Sequence, residues 1–144
     1  MIGLIVISLA FYALAILAII GLGIVYSFRK RLMPYHLKIL EKSWEEIEPK
    51  FQFLFCKLLN GAGFASLAYG ATLAAMIFFY LISDEGWILW AIPIFGLIGT
   101  LPLLGIVLEV NNRTSALPPL KLAIGVNMLF VMGLLCSMVE LIFY

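Results

Sequence analysis

The stretch RKRLMPYHLKILEKSWEEIEPKFQFLFCK, residues 29–57, decides the fold, because it is the long charged interruption in a chain greasy enough to lie in lipid. It holds Arg29, Lys30, Arg31, Lys38, Lys42, Lys50 and Lys57, seven of the nine basic residues. Glu41, Glu45, Glu46 and Glu48 lie in it as well. Outside it the sequence is almost uncharged. The 144 residues are 65% hydrophobic and 12% charged, with a mean hydropathy of +1.15. Soluble domains are about half apolar and about a quarter charged, so both figures point to a membrane protein.

Four segments reach the roughly 20 apolar residues that a transmembrane helix needs. They are residues 2–26, 58–82, 87–108 and 120–144. The second helix is expected to begin nearer Pro49. The first has no basic leader and no cleavage site before Arg29, so it reads as a retained span and not as a removed signal. Short loops separate the last three, which leaves one transmembrane domain over 1–144 and an all-α, four-helix bundle as the expected fold.

The basic residues give this bundle a direction. Seven lie between the first two spans, and Arg113 and Lys121 lie between the last two. The Ser83–Gly86 loop carries only Asp84 and Glu85. All nine cations fall on one side, which the positive-inside rule makes cytoplasmic, with both termini outside. A prokaryotic inner membrane is the expected location. Tyr80, Trp87 and Trp90, with Phe143 and Tyr144, are placed to form an outer aromatic belt. The sequon Asn112-Arg113-Thr114 falls on the cytoplasmic side, where it stays unused.

Within the interruption, Leu37, Leu40, Trp44 and Ile47 recur at spacings of 3, 4 and 3. That stripe predicts one amphipathic helix over 36–48, lying on the inner leaflet, with Pro34 in its first turn and Pro49 at its end. Arg29, Lys30 and Arg31 set the orientation and meet anionic headgroups, at about 1 kcal/mol each. His36 and the glutamates form no recognisable catalytic pair, and carboxylates beside lysines on a short helix read as a solvated face.

The spans carry few chemical groups. Ala62, Ser66, Gly70 and Ala74 place a small residue at every fourth position, a face for close helix packing. Pro93 and Pro102, with Gly96, Gly99 and Gly105, predict kinks or local unwinding in the third span. Asn60 and Asn127 sit near the inner ends of their spans and suit a hydrogen-bonded pair across helices. Glu109 and Glu140 lie near helix ends, within reach of water. Cys56 and Cys136 fall on opposite sides and give no disulfide or metal spacing, and one histidine cannot supply a bis-histidine site. No catalytic, cofactor-binding or metal residues are therefore assigned, and no cofactor is expected. The near-neutral net charge of +1 gives no footing for nucleic acid.

The run MPYHLKILEKSWEEIEPKFQ, followed by GAGFASLAYG and the tryptophans of the third span, resembles a group of small prokaryotic four-span membrane proteins of unknown function. The resemblance covers about residues 33–119 and implies no activity. Other four-span families fit less well. Small multidrug exporters place a glutamate in their first span, which is uncharged here, and thiol-disulfide membrane enzymes need paired cysteines. Three functional readings follow. The chain is a non-enzymatic accessory subunit or homo-oligomer, with the bilayer and other membrane subunits as partners. Alternatively, it is a transporter or channel for a small solute, or a membrane enzyme acting on lipid or quinone at the inner interface.

Overall fold

The computed structural model describes the backbone of residues 2–143 and the side chains of residues 3–140. The expected belt residues Phe143 and Tyr144 lie outside the described side chains. Five helices follow one another: α1 (Ile2–Ser27), α2 (Pro34–Leu40), α3 (Pro49–Ser83), α4 (Ile88–Arg113) and α5 (Leu120–Phe143). A single 3-10 turn, Trp44–Glu46, sits between α2 and α3. All but α2 are long and apolar enough to cross a membrane, the mark of an integral membrane protein.

α1 packs against both α3 and α5, α5 packs against α4, and a sparse α3–α4 contact completes the ring. One end of the bundle carries the Asp84 loop. The other, the charged end, carries residues 29–48 and the α4–α5 loop. At about 1.5 Å per residue, the 35 residues of α3 extend roughly 52 Å, against about 30 Å of hydrocarbon. Its first turns therefore project past the apolar spans at the charged end, carrying Lys50 and Lys57.

The core lies toward the Asp84 end. Tyr12, Ala15, Ile92 and Phe130 have no solvent exposure, and Leu73 and Ile88 are nearly as buried. Lipid tails are as apolar as leucine, so close packing and hydrogen bonds hold this core, not transfer from water. Gly96 lets the Phe130 ring lie against α4, where a Cβ would come within 2.5 Å of Cε1. Ser8 donates to the Gly133 carbonyl at 2.8 Å, and Ser137 lies 2.9 Å from Ser8 and 3.2 Å from the Tyr12 hydroxyl. This buried polar cluster ties α1 to α5. Tyr80 is also in the core, at 7% exposure, and so is not a belt residue.

The charged segment departs from its expected form. It is not one amphipathic helix. α2 stops at Leu40 because a Schellman motif closes it: Glu41 takes a left-handed conformation (φ 51°), Lys42 N–H donates to Leu37 O, and Glu41 N–H to Lys38 O. The 3-10 turn then starts from its own capping box, with Ser43 N–H donating to Glu46 Oε2 at 2.7 Å. The local signal Ser-x-x-Glu overrides the hydrophobic period. Of the stripe, Ile47 is buried at 6% exposure, Leu37 and Trp44 are half-buried and Leu40 is exposed. α4 runs as one helix from Ile88 to Arg113 through both prolines, with no unwound segment between them.

Candidate functional site: a cavity in the charged half of the bundle

Below the packed core, α3 and α4 touch through Tyr69, whose hydroxyl donates to Phe95 O at 2.5 Å while its ring occupies the space at Gly99. Between that contact and the charged end, the bundle encloses a cavity of about 280 Å³ bordered by every spanning helix and by α2. Ile19 and Val126, both buried, line it from α1 and α5, while Leu103 and Ile106 line it from α4 and are more than half exposed. The exposed lining shows that the cavity opens where α3 and α4 part. Its volume sits at the lower bound of small-molecule sites, about 300 Å³.

The cavity has polar groups at two levels. At the deep end, Thr100 and Asn127 are both buried, and the Thr100 hydroxyl donates to Asn127 Oδ1 at 2.9 Å. Asn127 also donates to Ala123 O at 2.8 Å. At the charged end stand Tyr26, Tyr35 and His36. The Tyr26 and Tyr35 hydroxyls bond each other at 2.5 Å, which leaves one of the two protons free to donate elsewhere. The Tyr35 ring lies 4.0 Å, centroid to centroid, from the His36 imidazole.

His36 reaches back over the first turn of α2, where its Nδ1 accepts from Met33 N–H at 3.3 Å. That bond places the proton of the neutral ring on Nε2. Burial lowers the His36 pKa below its usual value, and the nearby Arg29 guanidinium lowers it further. Burial also raises the Tyr35 phenol well above its ordinary value, with Tyr26 adding to the effect. The charged end of the cavity thus presents neutral donors. No Asp, Glu, Lys or Arg lines the cavity among the described residues.

The residues singled out from sequence are redistributed. Asn60 and Asn127 do not pair, because each has other partners. With its amide nitrogen turned toward α1, Asn60 donates among Tyr26 O, Arg29 O and Cys56 O, all within 3.1 Å. The small-residue face also divides. Gly70 and Ala74 pack on the core, whereas Ala62 and Ser66 line the cavity. A close α1–α3 approach lies one register away, at Gly63, where a Cβ would strike the backbone of Tyr26 and Ser27. The glutamates of the charged segment are all exposed and none borders the cavity. Hydrogen bonding to Ser43 lowers the Glu46 pKa, in keeping with a capping role.

Sequence reasoning missed one feature altogether. Gln52, Cys56 and Asn60 recur at every fourth position on α3 and all bond to backbone carbonyls. Gln52 donates to Trp44 O at 2.7 Å and to Ile47 O at 2.9 Å, and the Cys56 thiol to Lys30 O at 3.2 Å. Together with Asn60, they staple the charged segment to α3. The spacing of these three polar residues was a visible signal, but their acceptors are backbone atoms, which sequence does not show. No known protein family, curated protein or solved structure matches the chain.

Proposed function

We propose that the protein is a non-enzymatic membrane protein that holds one uncharged, lipid-soluble molecule in the charged half of its bundle. The observation that carries this reading is the cavity itself: apolar along its walls and opening between α3 and α4, with neutral donors at Tyr26, Tyr35 and His36. A carbonyl or hydroxyl on a greasy frame suits those donors. The packed core above the cavity favours holding over conducting. In this reading the charged end faces the cytoplasm of a prokaryotic cell and both termini lie outside.

The test is binding of a short-tailed quinone and a long-chain alcohol to the purified chain, measured by equilibrium dialysis in detergent. Ala62→Phe and Ala123→Phe fill the cavity from α3 and α5 and should abolish retention with helicity unchanged. Retention equal to the parent chain in both variants would sink the reading. Orientation is checked separately, by labelling a cysteine placed at Glu85 in intact cells with an impermeant maleimide.

A second reading rests on a different surface. Gly61, Ala65, Ala68, Thr72 and Ala75 follow at spacings of 4, 3, 4 and 3 along α3, and all are exposed. Nothing approaches a Cβ built at Gly61. Such a strip admits another helix closely, so this face supports a role as an accessory subunit or homo-oligomer. Cysteine at Ala68 should then give disulfide-linked dimers in membranes or link to a co-purifying subunit. A monomer in mild detergent with no such product counts against it.

A further inference from the structure

The three polar clamps on α3 do more than hold the loop down. They form the floor of a second cleft, of about 380 Å³, on the surface of the charged end. Arg29 and Lys30 enter it from the end of α1, and Lys57 from α3. Trp44 and Phe53 form apolar walls. No carboxylate lines it, and among the described residues the one ion pair is the distant Glu109–Arg113. Three basic residues therefore line the cleft, with no carboxylate among its lining residues.

The fold fixes the backbone from which two of these side chains leave. Asn60 and the Cys56 thiol bond the carbonyls of Arg29 and Lys30, so the backbone from which both cations leave is anchored to α3. Gln52 anchors the Trp44 turn opposite. The Lys57 ammonium lies 5.4 Å from the centre of the Phe53 ring, a cation–π contact that narrows where it points. The clamps also occupy carbonyls at the end of α1, whose partial negative charge would otherwise repel an anion.

We infer that this cleft is a binding site for the phosphodiester headgroup of an anionic phospholipid, with Arg29, Lys30 and Lys57 on the phosphate and Trp44 at headgroup depth. Lipid is the source because the cleft borders the membrane-spanning helices and because Trp44 and Phe53 supply an apolar rim that a free ion would not use. Of the expected headgroup cluster, Arg29 and Lys30 belong to the site. Arg31 does not line it, and Lys57 takes its place.

Native mass spectrometry of the full chain, purified in mild detergent and incubated with phosphatidylglycerol or phosphatidylcholine of matched chains, tests this. The parent chain should retain phosphatidylglycerol and not phosphatidylcholine. R29Q/K30Q/K57Q should lose retention by roughly tenfold or more. R31Q/K38Q/K42Q removes the same net charge outside the cleft and should stay within about twofold. Should the triple cleft variant lose helicity, Lys57→Gln against Lys57→Arg serves instead, with loss in the first and retention in the second. Equal loss from both triple variants would reduce the effect to diffuse attraction and overturn the site. Equal retention of phosphatidylcholine would overturn it too, as would release of the lipid by inorganic phosphate, which would mark a site for a soluble anion.

Discussion

The Tyr12 hydroxyl donates to the Leu89 carbonyl at 3.3 Å, and Leu89 is the residue that Pro93 deprives of its helical partner. Proline has no N–H to return four residues back, so Leu89 O would otherwise stand bare in a water-free core. A tyrosine from α1 supplies the missing donor. This is how α4 keeps its helix through a proline while fastening itself to α1.

That relationship sets a thermodynamic cycle. Tyr12→Phe should cost about 0.6–1.5 kcal/mol in the parent chain, the range for one hydrogen bond of this kind. In a Pro93→Ala background, where the helix regains its own N–H donor, the same change should cost less. Unfolding in mixed detergent, followed by circular dichroism, measures both. Equal costs would show that the two groups are not coupled.

Glycines on α3 should answer to alanine in opposite ways. Gly63→Ala drives a Cβ into the backbone of Tyr26 and Ser27, which cannot rotate aside, and should destabilise by about 1–3 kcal/mol. Gly61→Ala, two residues away with open space around it, should be neutral or stabilise by up to about 1 kcal/mol in the monomer. Thermal unfolding of the two variants separates them.

The clamp on the charged segment should be visible through Cys56. Its thiol is half-buried and bonded to Lys30 O. Asn60→Leu removes the neighbouring clamp and should raise the rate of maleimide labelling at Cys56 roughly tenfold, the equivalent of about 1.4 kcal/mol of local opening. Cys136→Ala as background keeps the signal to one thiol. An unchanged rate would mean that Asn60 holds nothing in place.

His36 is the one histidine of the sequence, so its imidazole can be followed by nitrogen-15 NMR without assignment. Its pKa should lie below 6.5, with the neutral proton on Nε2. The sign follows from burial of the neutral form. Stability from this group is complete above the unfolded value near 6.5 and is lost as pH falls through the lower folded value. His36→Gln, which keeps a partner for Met33 N–H, should flatten the stability profile in that window. Glu46 acts below it, because its lowered pKa starts from 4.5.

The sequence by itself determined the membrane class, the four spans and the start of α3 at Pro49, since length and apolar content alone dictate what can cross lipid. It also located the charged segment, whose basic bias carries the proposed orientation. It could not decide where the polar groups point. Asn60 and Asn127 looked like a pair because both are amides at similar depth, yet their partners are a helix end and a threonine, set by helix rotation. The stripe from Leu37 to Ile47 suggested one helix, but the bonds around Glu41 and Ser43 break it within the segment. Ala62 and Ser66 share a sequence period with Gly70 and Ala74, but α3 and α4 part below Tyr69, so the first two border a cavity and the others a core. Only the tertiary structure sets those outcomes, because neighbouring helices and backbone carbonyls supply the partners, and a sequence does not display them.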